Sequence, residues 1–162
     1  MQNRWAMLGL LFAARTVMAM QFQVIGALSP AIMARFGVSL GDVGLAIGLY
    51  FAAGVVLAFP GGTIAARFGE RLVSGVALAM MALGGAVMAL TDSWSIFLAA
   101  QLVAGAGGSL VNVSMTKMVT DVFQGKDIAT ALSVFINSWP VGIALSLVLT
   151  PVVAATFGAS AA

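Results

Sequence analysis

The length of its apolar stretches decides most about what this chain can become. Five segments, Trp5–Ala34, Asp42–Ala66, Leu72–Thr91, Ser95–Val122 and Ile128–Phe157, run for about 20 residues or more with nearly every charge at an end. A hydrocarbon core of about 30 Å is crossed by roughly 20 residues of helix. Open strands are excluded there, because lipid cannot satisfy their backbone groups. The short alternating segments of a membrane barrel are not seen. The expectation is an all-α polytopic bundle of about five spans, forming a single membrane domain over residues 1–162.

Composition supports lipid as the main solvent. The chain is 62% hydrophobic and 7% charged, whereas a soluble domain carries about 25% charged residues. Cysteine and histidine are both absent, which excludes disulfides, thiol chemistry and the usual zinc sites. The acids Asp42, Glu70, Asp92, Asp121 and Asp127 fall at predicted helix ends, leaving no buried carboxylate for catalysis or proton relay. No enzyme and no cofactor are expected. The net charge of +2 reflects membrane topology, so no nucleic-acid partner is expected either. Met1–Ala14, with Arg4 before an apolar run, imitates a signal peptide, but apolar sequence continues past Arg15 to Met33 and reads as a first membrane helix.

Helix ends repeat a signature. Ala34-Arg35-Phe36-Gly37 and Ala66-Arg67-Phe68-Gly69 close the first two segments, and Val122-Phe123-Gln124-Gly125 and Thr156-Phe157-Gly158 close the last two. Glycine just past the last turn accepts the left-handed conformation, and arginine there favours the negative dipole end. Asp42, Asp92 or Ser93, and Asp127 mark starts. Orientation follows from lysine and arginine: with the N-terminus inside, Arg4, Arg67, Arg71, Lys117 and Lys126 are cytoplasmic and Arg35 is outside. Trp5 and Trp94 fall at the interfaces.

Arg15 stands apart. It lies ten positions beyond Trp5, roughly 15 Å along a helix, and mid-membrane arginine costs about 2.5 to 3.5 kcal/mol on insertion scales. It must face protein or an aqueous cavity. Two readings stay open: a cationic site for an anionic or carbonyl-bearing substrate, or a structural arginine tied to backbone carbonyls. Ala19, Phe22, Gln23, Gly26 and Ser29 share its face, and Gln21 points away as a packing residue.

On the fourth segment Gln101, Gly105, Gly108, Asn112 and Thr116 form a stripe that either packs or lines a cavity. Gly44, Gly48 and Ala52 form a further small-residue seam, expected to pack. Lys117 and Asp121, four apart, form a local ion pair. In the fifth segment Pro140 predicts a mid-membrane kink. Asn137, sharing a face with Thr130, Ser133 and Ala144, is expected in the cavity ahead of Trp139. The candidate substrate-binding set is Arg15, Gln23, Asn112 and Asn137.

These residues together resemble the major facilitator superfamily. Its loop between helices two and three follows Gly-x-x-x-Asp-Arg-x-Gly-x-Arg, and Gly62, Arg67, Gly69 and Arg71 match in register, with Ala66 where the family has Asp. The resemblance implies a gating loop, although the missing acid breaks its usual charge network. Gln101 replaces the arginine that often opens helix four, so proton coupling through that arginine does not transfer. Of the antiporter pattern Gly-Pro-x-x-Gly-Gly only Pro140 is present, since Trp139, Ile143 and Ala144 occupy the glycine positions. The glycine-rich fourth helix and Asn137–Gly142 look similar to porters for nitrate, nitrite or cyanate.

The resemblance implies a symporter or uniporter in a bacterial inner membrane, moving a small anion by alternating access. The family has twelve helices in two halves, so five spans read as a fragment of the N-terminal half, completed by the second half or by a partner chain. The alternative is a small membrane scaffold or assembly partner without transport activity.

Overall fold

The computed structural model describes residues 4–125 and 127–157. Lys126, counted above on the inner side, and Gly158, assigned above to a helix end, lie outside them. The described residues form six helices and no strand: α1 (Arg4–Ala27), α2 (Ser29–Phe36), α3 (Leu40–Phe68), α4 (Glu70–Leu90), α5 (Trp94–Val122) and α6 (Asp127–Phe157). Five are long and apolar enough to span a membrane.

The first span differs from the expected continuous helix over 5–34. It breaks at Leu28 into α1 and α2. Pro30 sits in the first turn of α2, where its missing N–H costs nothing, and it disfavours helical backbone in the residue before it. The break is slight, since Leu28 N–H still donates to Val24 O at 2.8 Å and Ile32 N–H to Leu28 O at 2.9 Å. In contrast, α6 runs without interruption through Pro140 and Pro151.

Helix ends follow local chemistry. Gly37 closes α2 at φ 65°, with its N–H donating to Met33 O. Asp42 is not the cap of α3 but the third helical residue. Ser39 is the cap, and its hydroxyl accepts from Asp42 N–H while the Asp42 carboxylate accepts from Ser39 N–H at 2.9 Å. The Gly62–Arg71 stretch is hardly a loop. Ala65 and Ala66 are the best helix formers, so α3 continues to Phe68, and the junction with α4 is Gly69 alone, at φ 86° and ψ 139°. Gly62 and Arg67 therefore sit in the last turns of α3, and Arg71 in the first turn of α4.

Two interlocked pairings build the bundle. On one side α1 packs along α6; on the other α5 packs between α3 and α4. Glycines set the separations. A Cβ at Gly105 of α5 would strike the backbone of Tyr50 on α3, and one at Gly142 of α6 would strike Thr16 O and lie 2.6 Å from Ala19 Cβ on α1. Close approach through small residues is how membrane helices gain packing when lipid supplies no hydrophobic drive between them.

Ala131, Phe135, Ser138, Gly142, Ser146 and Thr150 form the buried stripe of α6. Thr16 Oγ1 donates across it to Ser138 O at 3.3 Å, and Ser146 Oγ to Met20 O at 3.2 Å. The expected Gly44, Gly48 and Ala52 seam meets no neighbour among the described residues: all three are exposed, and a Cβ at either glycine meets nothing within 4 Å.

Charges sort to the two ends. At one, Arg4 pairs with Asp127 at 2.7 Å and Lys117 with Glu70 across the α4–α5 interface. The expected Lys117–Asp121 contact is longer, at 4.0 Å. At the other end Arg35 reaches Asp92 at 3.0 Å and Thr91 O at 2.8 Å, beside a stack of Trp94 on Phe97.

Candidate functional site

Arg15 lies in the middle of α1, on the side turned to α6. Its Nη1 donates to Phe135 O at 3.3 Å, and its guanidinium lies 4.4 Å from the Phe135 ring centroid and 5.9 Å from that of Trp139. The carbonyl of Phe135 also accepts from Ser138 Oγ. One nitrogen of Arg15 thus ties down neighbouring backbone, as its structural reading expects, and the side chain also borders a cavity. Among the described residues Arg15 is in no ion pair, because every close acid–base contact lies near the helix ends.

That cavity holds about 250 Å³ and is lined by Arg15, Tyr50, Phe51, Gly108, Ser109, Asn112 and Trp139, drawn from α1, α3, α5 and α6. Each is held by its neighbours. Gly108 leaves room for the Tyr50 phenol, whose oxygen a Cβ there would strike. Ser109 Oγ turns back to Gly105 O at 2.9 Å and lies where a Cβ on Gly54 would come within 2.7 Å. Phe22 links the aromatic walls, its centroid 5.1 Å from Tyr50, 5.0 Å from Phe51 and 5.8 Å from Trp139. Arg15 Nε and Asn112 Oδ1 are enclosed without a hydrogen-bond partner, an arrangement costing about 1–3 kcal/mol for each group when left unmade.

Of the four residues expected at the site, Arg15 and Asn112 come together. Gln23 is half-buried and is not part of the cavity wall, its amide resting over Gly26. Asn137 is exposed and donates to Ser133 O of its own helix at 2.8 Å. The order expected on α6 is reversed, since Trp139 lines the cavity. Two residues along a helix turn the side chain by about 200°, so Asn137 and Trp139 cannot share a face. Tyr50, Phe51, Ser109 and Trp139 were missed. The available signals were the buried α6 stripe, which orients Trp139, and the single tyrosine of the chain, set in the middle of an apolar helix.

A larger cavity of about 760 Å³ opens between α1, α2, α4 and α6. Its polar groups are already engaged: Gln21 Nε2 donates to Met81 O at 3.0 Å, Thr150 pairs with Ser146 at 3.1 Å, and Arg35 is held at Thr91 and Asp92. Its walls are otherwise apolar, so size does not make it the recognition site. The smaller cavity has the uncompensated cation and the unmade bonds. Gln21 packs, as expected. On α5, Gln101 is buried at 1% exposure with its amide nitrogen unpartnered, and Gly105 and Gly108 serve close approach, so the stripe divides between packing and lining.

Five apolar helices, each long enough to cross a bilayer and packed into one bundle, define a polytopic α-helical membrane protein. The chain belongs to the Major Facilitator Superfamily, whose pattern matches residues 11–162. It is similar to the Escherichia coli (strain K12) inner membrane transport protein YajR, at 28% identity over 152 residues, covering 93% of this chain and 32% of that protein. It is also similar to an uncharacterized transporter of Buchnera aphidicola subsp. Schizaphis graminum (strain Sg), at 26% identity over 132 residues, covering 78% of this chain and 33% of that one. The chain spans about a third of the length of these curated relatives. Neither relative's name carries a substrate, and neither points to a nitrate, nitrite or cyanate porter.

Proposed function

We propose that this chain forms part of a secondary active transporter of a bacterial inner membrane, moving a small anionic solute by alternating access. The observation that carries the reading is Arg15: a cation at mid-membrane, without a carboxylate partner among the described residues, bordering a cavity. Intramembrane ionisable groups of this kind mark solute pathways. Arg15 supplies the charge, Asn112 hydrogen bonding, and Trp139 and Tyr50 the walls. A second half, within the same polypeptide or in a partner chain, closes the site and rocks against this bundle. The gating role falls to Gly62, Arg67, Gly69 and Arg71, pivoting at Gly69, while the cross-helix Lys117–Glu70 pair fixes the start of α4 to α5.

The full-length protein in proteoliposomes tests this. Arg15→Gln abolishes uptake of the anionic solute, and Arg15→Lys does so too, because an ammonium cannot reproduce the planar fork that holds Phe135 O and the ring faces together. Membrane insertion stays intact in both. Uptake by Arg15→Gln equal to that of the parent protein sinks the substrate role.

A further inference from the structure

Resting on the reading of Arg15 as an anion site, we infer that the solute is a planar, conjugated organic monoanion of roughly ring-plus-carboxylate size, and not a small inorganic oxyanion. Volume is the first argument. About 250 Å³ corresponds to roughly eight water volumes at about 30 Å³ each. On the same scale a four-atom inorganic anion leaves about half of that space to water, whereas about eight heavy atoms fill it.

The walls are the second argument. Besides Arg15, Ser109 and Asn112, the lining is aromatic: Tyr50, Phe51 and Trp139. Ring faces offer nothing to replace the hydration shell of a compact anion, so stripping such an ion there goes uncompensated. They do offer offset or edge contacts to another ring, worth about 0.5–1.5 kcal/mol each beyond area burial. The rings come from two helices, α3 and α6, and meet through Phe22 of α1 at centroid distances of 5.0–5.8 Å, so the walls are braced.

The third argument is Arg15 itself. Its guanidinium already lies over the Phe135 ring, 4.4 Å from the centroid, with Nη1 spent on Phe135 O. With Nε enclosed and Nη1 engaged, Nη2 is the nitrogen left to meet one carboxylate, and a second charge on the solute would find no partner among the described residues. Ser109 and Asn112 stand on α5, where they can meet a polar substituent.

Equilibrium dialysis of labelled benzoate against the purified protein in nanodiscs, with empty nanodiscs as the blank, tests the assignment. Benzoate binds saturably and at least tenfold more tightly than nitrate or cyclohexanecarboxylate compete. Trp139→Leu weakens it about tenfold, Trp139→Phe restores most of it, and neither changes nitrate competition. Nitrate or cyclohexanecarboxylate competing as well as benzoate, with Trp139→Leu silent, overturns the planar assignment and leaves the anion site standing. Benzamide binding as tightly as benzoate, with Arg15→Gln silent, removes the anion site as well. Absence of saturable benzoate binding overturns the inference.

Discussion

Replacing Gly105 by alanine adds one carbon where α5 meets α3 most closely. The new Cβ would lie 2.7 Å from Tyr50 Cα and 2.9 Å from its carbonyl carbon, and closer still to its oxygen. These are backbone atoms, so no rotamer change relieves the clash. Relaxing to an ordinary carbon contact of about 3.5–4.0 Å requires the helices to part by about 1 Å, and a gap of that size forfeits about a quarter to a half of each contact well. Overpacking of this kind costs typically about 1–3 kcal/mol. Exchange of glycine for alanine inside a helix returns about 0.8–1.0 kcal/mol, so the net loss is about 0–2 kcal/mol.

Gly44→Ala is the control, because a Cβ there meets nothing within 4 Å. Only the propensity gain applies, and it is stabilised by up to about 1 kcal/mol. The two variants, identical in chemistry and both within a helix, therefore separate by about 1–3 kcal/mol, the overpacking range. Reversible unfolding in bicelles or mixed detergent measures the difference. Since Tyr50 also lines the cavity, Gly105→Ala weakens benzoate binding and Gly44→Ala does not. Equal stability of the two variants refutes the reading of Gly105 as a contact glycine and Gly44 as a free one.

Gly69 is the second test: at φ 86° and ψ 139° it lies where side chains are strained, and Gly69→Ala costs about 1–3 kcal/mol, read by the same unfolding assay, while an unchanged stability removes the case for a one-residue pivot. Topology is the third. These 162 residues have no cysteine, so Ser93→Cys and Gln124→Cys each place a single label within them. A membrane-impermeant maleimide added to intact cells modifies Ser93→Cys and spares Gln124→Cys until the cells are opened, and the reverse pattern inverts the proposed orientation.

The spans were legible because twenty-residue apolarity leaves a chain few choices. Their ends were legible to within a few residues where glycine acts locally, as at Gly37. The break before Pro30 had a visible signal in Ser29-Pro30, but an apolar run that reads through the dipeptide masks it. The overrun of α3 into the Gly62–Arg71 stretch came from helix-forming Ala65 and Ala66, which outweigh the loop suggested by flanking glycines.

The site was harder. Arg15 declares itself by the cost of its position, and Asn112 by its stripe. A wheel assigns faces within one helix and cannot say which neighbour each face meets, so the face of Asn137 was read as inward when the small-residue stripe at Ser138, Gly142 and Ser146 is the one buried. The Gly44–Gly48 seam failed for the same reason: small residues permit close approach without specifying who approaches.

The bond from Arg15 to Phe135 joins residues 120 apart in the chain, and that separation has a consequence during synthesis. At about 5–20 residues per second, roughly 6–24 s pass between the making of the arginine and of the carbonyl that receives it. For that interval α1 has its cation at mid-membrane and lacks α6. The insertion machinery must therefore shelter α1, or lipid and water must deform around it, until α6 arrives. The helix with the deepest charge is made 120 residues before the carbonyl that receives it, so its burial waits on α6.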